Sequence, residues 1–183
     1  MPVDDRYLLS YLEQLGISTS TVEHEPLRTV EDARRARTDQ PGGHVKNLFL
    51  KDKNKRFWLL VALEDTSIDL KATAQLLEAQ KFSFASADEL ADILGIVPGA
   101  VSPFAVINDE LRQVSVVLDQ RLLEVSPLNF HPLRNDRTTT IATSDFLKFL
   151  TEVNHPPRSV LLPAKVGITN PDNAAKPHEL FIP

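Results

Sequence analysis

The chain has 183 residues, of which 42 % are hydrophobic, enough for one domain with a buried core and some length to spare. Its formal net charge is −5, so bulk electrostatics do not favour nucleic acid, and any polyanion must be met by a local basic patch. There is no cysteine, which excludes disulfides, thiolate metal sites and a cysteine nucleophile.

The N-terminus, MPVDDRYLLS, carries acids where a signal peptide has a basic region. No apolar run approaches the ~20 residues needed to cross a bilayer, so a cytoplasmic location without membrane contact is expected. Residues 4–16, DDRYLLSYLEQLG, place apolar side chains at 7, 8, 11, 12 and 15, which predicts a helix started by Asp4 and Asp5 and stopped at Gly16. STSTVEHE reads as a short strand and TVEDARRAR, residues 29–37, as a second helix. VKNLFLKD and RFWLLVAL flank the charged turn KDKNK and predict a β-hairpin.

DLKATAQLLEA predicts an amphipathic helix. SADELADILG predicts another, with a capping box of Ser86 and Glu89 and a stop at Gly95. IVPGAVSPFAVIND is expected to be a loop, QVSVVLD a strand, RLLEVSP a short strand or turn, and TTTIAT a strand. SDFLKFLTEV predicts the last helix, capped by Ser144. The order of elements indicates α/β or α+β with a mixed sheet. One domain over 1–154 is expected, followed by an extended tail over 155–183 with little periodicity.

P-loop, dinucleotide-binding, H-E-x-x-H and G-x-S-x-G signatures are missing. The histidines at 24, 44, 131, 155 and 178 lack metal-ligand spacing, so no metal is expected, and no cofactor either. Chemistry is left to backbone groups, a lysine, a histidine and bound water. Lys46, at the mouth of an apolar run, points either to solvent or into a cavity that expects a negative charge. Asn47 faces the opposite side if the strand is regular. PGAVSP, residues 98–103, is either an ordinary Pro-Gly turn or a place where Gly99 lets backbone N–H groups approach a ligand. NFHPLRNDRTTTI gathers polar groups before a strand. Its His131 is a functional residue or a backbone-satisfied loop histidine, and its Asn135, Asp136, Thr138 and Thr139 serve equally well as turn formers. Basic residues cluster at Arg34, Arg35 and Arg37, at Lys51, Lys53, Lys55 and Arg56, and at Arg134 and Arg137; they are solvated charge or a phosphate-contacting face. A DNA-binding role is poorly supported, with no helix-turn-helix signature.

Three segments occur together in order: GGHVKNLFLKDKNKRFWLLVA, LGIVPGAVSPFAVIND and VVLDQRLLEVSPLNFHPLRNDRTTTIATSDFLKFL. Over residues 4–153 the chain resembles the aminoacyl-tRNA editing proteins of the YbaK and prolyl-tRNA synthetase insertion-domain superfamily, most of all the alanyl-tRNA(Pro) deacylase branch. The resemblance implies an α/β domain on a twisted, partly barrel-like mixed sheet surrounded by helices. It also implies hydrolysis of Ala-tRNA(Pro) with Pro-tRNA(Pro) spared, by double-sieve logic. The lysine of the family's KN motif falls on Lys46, which would hold the phosphate or ribose of the terminal adenosine, and Asn47 completes the motif. The family's G-x-x-x-P loop falls on Gly99, Ala100, Val101, Ser102 and Pro103, whose N–H groups would hold the aminoacyl carbonyl or the attacking water. Its histidine falls on His131, lining the amino-acid pocket. Lys51, Lys53 and Arg134 are the expected tRNA contacts. The implied partners are the acceptor end of mischarged tRNA(Pro) and, as a candidate, prolyl-tRNA synthetase. The alternatives are a deacylase for Cys- or Ser-tRNA and a non-catalytic tRNA- or synthetase-binding module.

Overall fold

A computed structural model describes residues 1–26 and 40–165. The helix expected over 29–37, and the arginines on it, lie outside the described residues, as do residues 166–183. The first helix, α1 (Asp5–Gln14), starts where its acids suggest: Asp4 accepts a hydrogen bond from the Tyr7 N–H, and Gly16 follows in the left-handed region. Strand β1 (Thr19–Glu23) comes next. The hairpin forms as expected from β2 (Gly43–Lys51) and β3 (Phe57–Leu63). Its turn is held by Asp52, whose carboxylate accepts from the N–H groups of Asn54 and Arg56 and from Arg56 Nε.

Helix α2 (Leu70–Leu76), the two-residue strand β4 (Ser83–Phe84) and α3 (Ala87–Leu94) follow. The capping box of Ser86 and Glu89 is present, with Gly95 closing α3. Strand β5 (Val114–Asp119) precedes β6 (Leu128–Phe130) and β7 (Arg137–Ile141). Helix α4 (Thr143–Glu152) and β8 (Arg158–Val160) complete the described chain. Three local expectations change. Ser144 lies inside α4, and Ala142 occupies the cap position without a side-chain bond. The loop over 96–109 contains a 3-10 helix, Pro103–Asn108, started by Pro103 and by Ser102 Oγ accepting from the Phe104 N–H. RLLEVSP is mostly a second 3-10 helix, Gln120–Glu124. Past residue 154, His155 and Leu162 are buried and β8 pairs with β5.

The strands run in the order β1-β7-β6-β2-β3-β5-β8, with β4 added beside β2, in one mixed, open sheet. β2 is its hinge. One edge pairs with β3 in regular antiparallel register from Val45↔Leu63 to Lys51↔Phe57. The other pairs with β6 at Gly43 and His44 and with β4 at Leu50 and Lys51. Between those two contacts β2 has no strand on that edge among the described residues.

The larger core lies on one face and takes Val45 and Phe49 from β2. It centres on Phe104, Phe130, Phe146 and Phe149, whose rings stand 4.5–6.4 Å apart. Aromatic pairs at such spacings contribute ~1 kcal/mol each beyond their burial, so the residue after Pro103 is firmly anchored. A smaller cluster on the other face takes Leu48 and Leu50, together with Trp58, Leu60 and Ala62 of β3 and Ala74 of α2. Among the described residues no helix is long and apolar enough to cross a membrane.

Candidate functional site

The unpaired stretch of β2 holds the first two expected residues. Regular pairing makes side chains alternate, which puts Lys46 on the face of Leu48 and Leu50 and Asn47 on the face of Val45 and Phe49. Lys46 is half-buried, and its side chain forms no hydrogen bond or ion pair among the described residues. Burial pulls its ammonium below the usual lysine range, and the nearby carboxylates of Glu64 and Asp65 only partly offset this.

Asn47 reaches to the loop that follows α3. Its Nδ2 donates to Val101 O at 3.0 Å, while its Oδ1 is buried and accepts no hydrogen bond among the described residues. A buried amide oxygen without a donor costs ~1–3 kcal/mol, so a ligand donor is the natural complement. The backbone of Asn47 faces the same opening. Phe49 O is taken on that edge by the Ala85 N–H, and in an antiparallel strand the residue two positions earlier turns its N–H and C=O the same way.

The loop itself is partly committed. The Ala100 N–H donates to Val97 O, and the Ala105 N–H to Ser102 O. The N–H groups of Gly99, Val101 and Ser102 make no hydrogen bond among the described residues. Gly99 sits at φ +87°, a conformation that glycine adopts without strain. Ala100, Ser102 and Pro103 are buried, so a ligand meets this loop through its backbone and through Val101.

His131 opens the turn after β6. Its Nδ1 lies 2.9 Å from Arg137 O, and its ring stands 6.2 Å from that of His24. His24 in turn contacts Thr138 Oγ1 through Nε2 and Glu25 O through Nδ1, leaving neither nitrogen open to a ligand. The same turn carries Asn135 to Gly99: a β-carbon built at residue 99 would stand 3.5 Å from Asn135 Nδ2.

The structure therefore gathers Asn47, the Gly99–Pro103 loop and Asn135, with Lys46 one residue away on the opposite face of β2. In the sequence Asn135 reads equally well as a polar site group or a turn former, and only its spatial approach to Gly99 distinguishes it. The expected tRNA contacts divide. Lys53 is exposed without an ion pair among the described residues. Lys51 is bound by both carboxylate oxygens of Glu89 at 2.7 and 2.8 Å, about 17 Å along β2 from Lys46 at the usual strand rise. Arg134 is clamped by both oxygens of Asp136, which strengthens its hold on its proton. No group of three His, Cys, Asp or Glu side chains suited to a metal occurs among the described residues.

Residues 24–149 match the family model of the aminoacyl-tRNA editing domain. The chain is 38 % identical over 144 residues to the "Prolyl-tRNA editing protein ProX" of Acetoanaerobium sticklandii, covering 78 % of this chain and 88 % of that protein. It is 35 % identical over 159 residues to "Prolyl-tRNA synthetase associated domain-containing protein 1" of Danio rerio, covering 85 % and 86 %. Among solved structures, a proposed trans-editing enzyme for prolyl-tRNA synthetase superposes with a TM-score of 0.67 over 88 % of this chain and 98 % of that one. At 18 % identity this likeness speaks to the fold.

Proposed function

The chain belongs to the aminoacyl-tRNA editing family and is an aminoacyl-tRNA deacylase, and we propose that the ester it hydrolyses joins alanine to tRNA(Pro), with Pro-tRNA(Pro) spared. The observation that carries this reading is the unsatisfied amide of Asn47, joined to a glycine loop with free N–H groups. That arrangement offers donors to a carbonyl oxygen and an acceptor to an amine, a hydroxyl or a water. An aminoacyl ester presents all of these within a few ångströms. The relative named as a prolyl-tRNA editing protein supports tRNA(Pro) as the carrier, and the resemblance to the alanyl-tRNA(Pro) deacylase branch supports alanine.

Each residue then has a role. The N–H groups around Gly99 polarise the ester carbonyl, Asn47 Oδ1 accepts from the substrate amine or the attacking water, and His131 shapes the wall of the amino-acid pocket. Lys46, drawn below its ordinary basicity by burial, regains its proton affinity when a phosphate of the acceptor end arrives as its counter-ion. No side-chain nucleophile is needed, because an aminoacyl ester is already activated and orienting a water supplies the rest. Alanine enters a pocket that excludes the larger proline ring, which is the logic of a second sieve. Prolyl-tRNA synthetase, the source of such errors, is the proposed protein partner.

The deciding assay compares hydrolysis of Ala-, Cys-, Ser- and Pro-charged tRNA(Pro) by the purified protein. Rapid loss of alanine with proline retained is the expected result. Preferential loss of cysteine or serine would move the specificity. Protection of every ester would replace the deacylase reading with a binding module.

A further inference from the structure

The turn between β6 and β7 is built more firmly than a surface turn requires. Leu133 is buried in the left-handed region at φ +66°, and its N–H donates to His131 O. Arg134 and Asp136 bind each other at two points, 2.9 and 2.6 Å, straddling the residue between them. Asp136 O accepts from the His24 N–H of the segment after β1, and Arg137 pairs with Asp5 of α1 and with Glu23. Everything on either side of Asn135 is fixed.

Asn135 alone in this turn has no evident structural task. Asparagine serves turns for two reasons: it tolerates a left-handed backbone, and its side chain caps neighbouring N–H groups. Asn135 is not among the positive-φ residues, and its side chain makes no hydrogen bond among the described residues. What it does have is position. Asn135 is half-buried, and its Nδ2 lies beside Gly99, 3.5 Å from where a β-carbon there would stand.

We propose that Asn135 is a catalytic residue whose Nδ2 donates a hydrogen bond to the ester carbonyl oxygen, alongside the free N–H groups of the Gly99 loop. This rests on the deacylase reading above. Water adds to the carbonyl carbon, and the C=O π pair moves onto oxygen, where Asn135 and the loop meet the growing negative charge. Collapse of that pair breaks the acyl–ribose C–O bond. The ribose oxygen takes the proton that the water gives up, and free amino acid and tRNA leave. A donor aimed at charge present only in the transition state raises the rate of chemistry and leaves substrate binding little changed.

The test is single-turnover and steady-state deacylation of Ala-tRNA(Pro) by wild type, Asn135→Ala and Asn135→Asp, with the melting temperature of each. Asn135→Ala is expected to lose about 10²-fold in kcat with KM within a few-fold of wild type and an unchanged melting temperature. Asn135→Asp is expected to match it at neutral pH. Its rate relative to wild type then rises as pH falls through the carboxylate range and an O–H donor returns. A purely structural role would not produce that profile. An Asn135→Ala rate within twofold of wild type would overturn the proposal. So would an Asn135→Asp protein fully active at neutral pH, since a carboxylate cannot donate. Wild type inactive on every ester tested would instead sink the deacylase reading, and this inference with it.

Discussion

Strand β2 carries a lysine near each end, and the two have opposite surroundings. Lys51, at the finish, lies against Glu89 at 2.7 Å, and that same carboxylate caps α3 through the Ser86 N–H. Its neighbour Asp52 is bound three times over by Asn54 and Arg56. Lys46, near the start, is half-buried with its basicity lowered and has no ion pair among the described residues, beside an asparagine with a buried, unsatisfied oxygen. One end spends its polar groups on the fold. The other leaves them incomplete, and incomplete buried polarity is what a ligand can complete.

Lys46→Ala gives the sharpest contrast. It is expected to lower deacylation about 10²-fold, the scale of one charge-assisted contact to phosphate at ~3 kcal/mol, without lowering the melting temperature. The pH dependence separates its two effects. Because burial lowers its basicity, the folded chain holds this proton less tightly than the unfolded one. The cost of burying the ammonium is therefore full below the lowered value and fades as pH rises through it towards the ordinary lysine value. Wild type should gain stability relative to Lys46→Ala across that window while its activity declines. Parallel pH curves for the two proteins would show that Lys46 is solvated after all.

Asp52→Ala should do the reverse, costing ~1–3 kcal/mol of stability in denaturant unfolding and leaving kcat/KM close to wild type. Burial pushes the Asp52 carboxyl up, but its bonds from Arg56 and Asn54 outweigh that and hold it below the usual range. Its contribution is thus present above the ordinary carboxylate value and is lost as pH falls through the lowered one. A large loss of activity at full stability would mean that the two ends of β2 are coupled.

The division between the two ends was only half legible in the sequence. The hairpin was readable because its apolar runs are long and its turn is charged. β4, β6 and β8 were not, because two or three residues carry no periodicity and are held in place by pairing with distant strands. Gly99 and Pro103 marked their loop, and simple alternation placed Asn47 opposite Lys46. Nothing local separated Lys46 from Lys51 as candidate phosphate contacts, since the carboxylate that occupies Lys51 lies 38 residues away. The partner of Arg134, by contrast, lies only two residues on. Asn135 reads as turn chemistry until the fold brings it to Gly99.

Lys51→Ala carries the smallest expected effect and tests the comparison from its other side. The pair is about a third exposed at each partner, so its loss should cost no more than ~1 kcal/mol after solvent screening. Lys51 holds the Glu89 carboxyl below its usual range, with the Ser86 backbone N–H assisting, so the residual stabilisation should disappear as pH falls through that lowered value. Removing the lysine leaves Glu89 free to keep its capping role on α3. If Lys51 were instead a tRNA contact, the variant would weaken tRNA binding and flatten its salt dependence by about one charge at unchanged stability. An ion pair already satisfied within the fold would have to open before phosphate could enter, so the affinity of tRNA should be nearly indifferent to this residue and sensitive to Lys46.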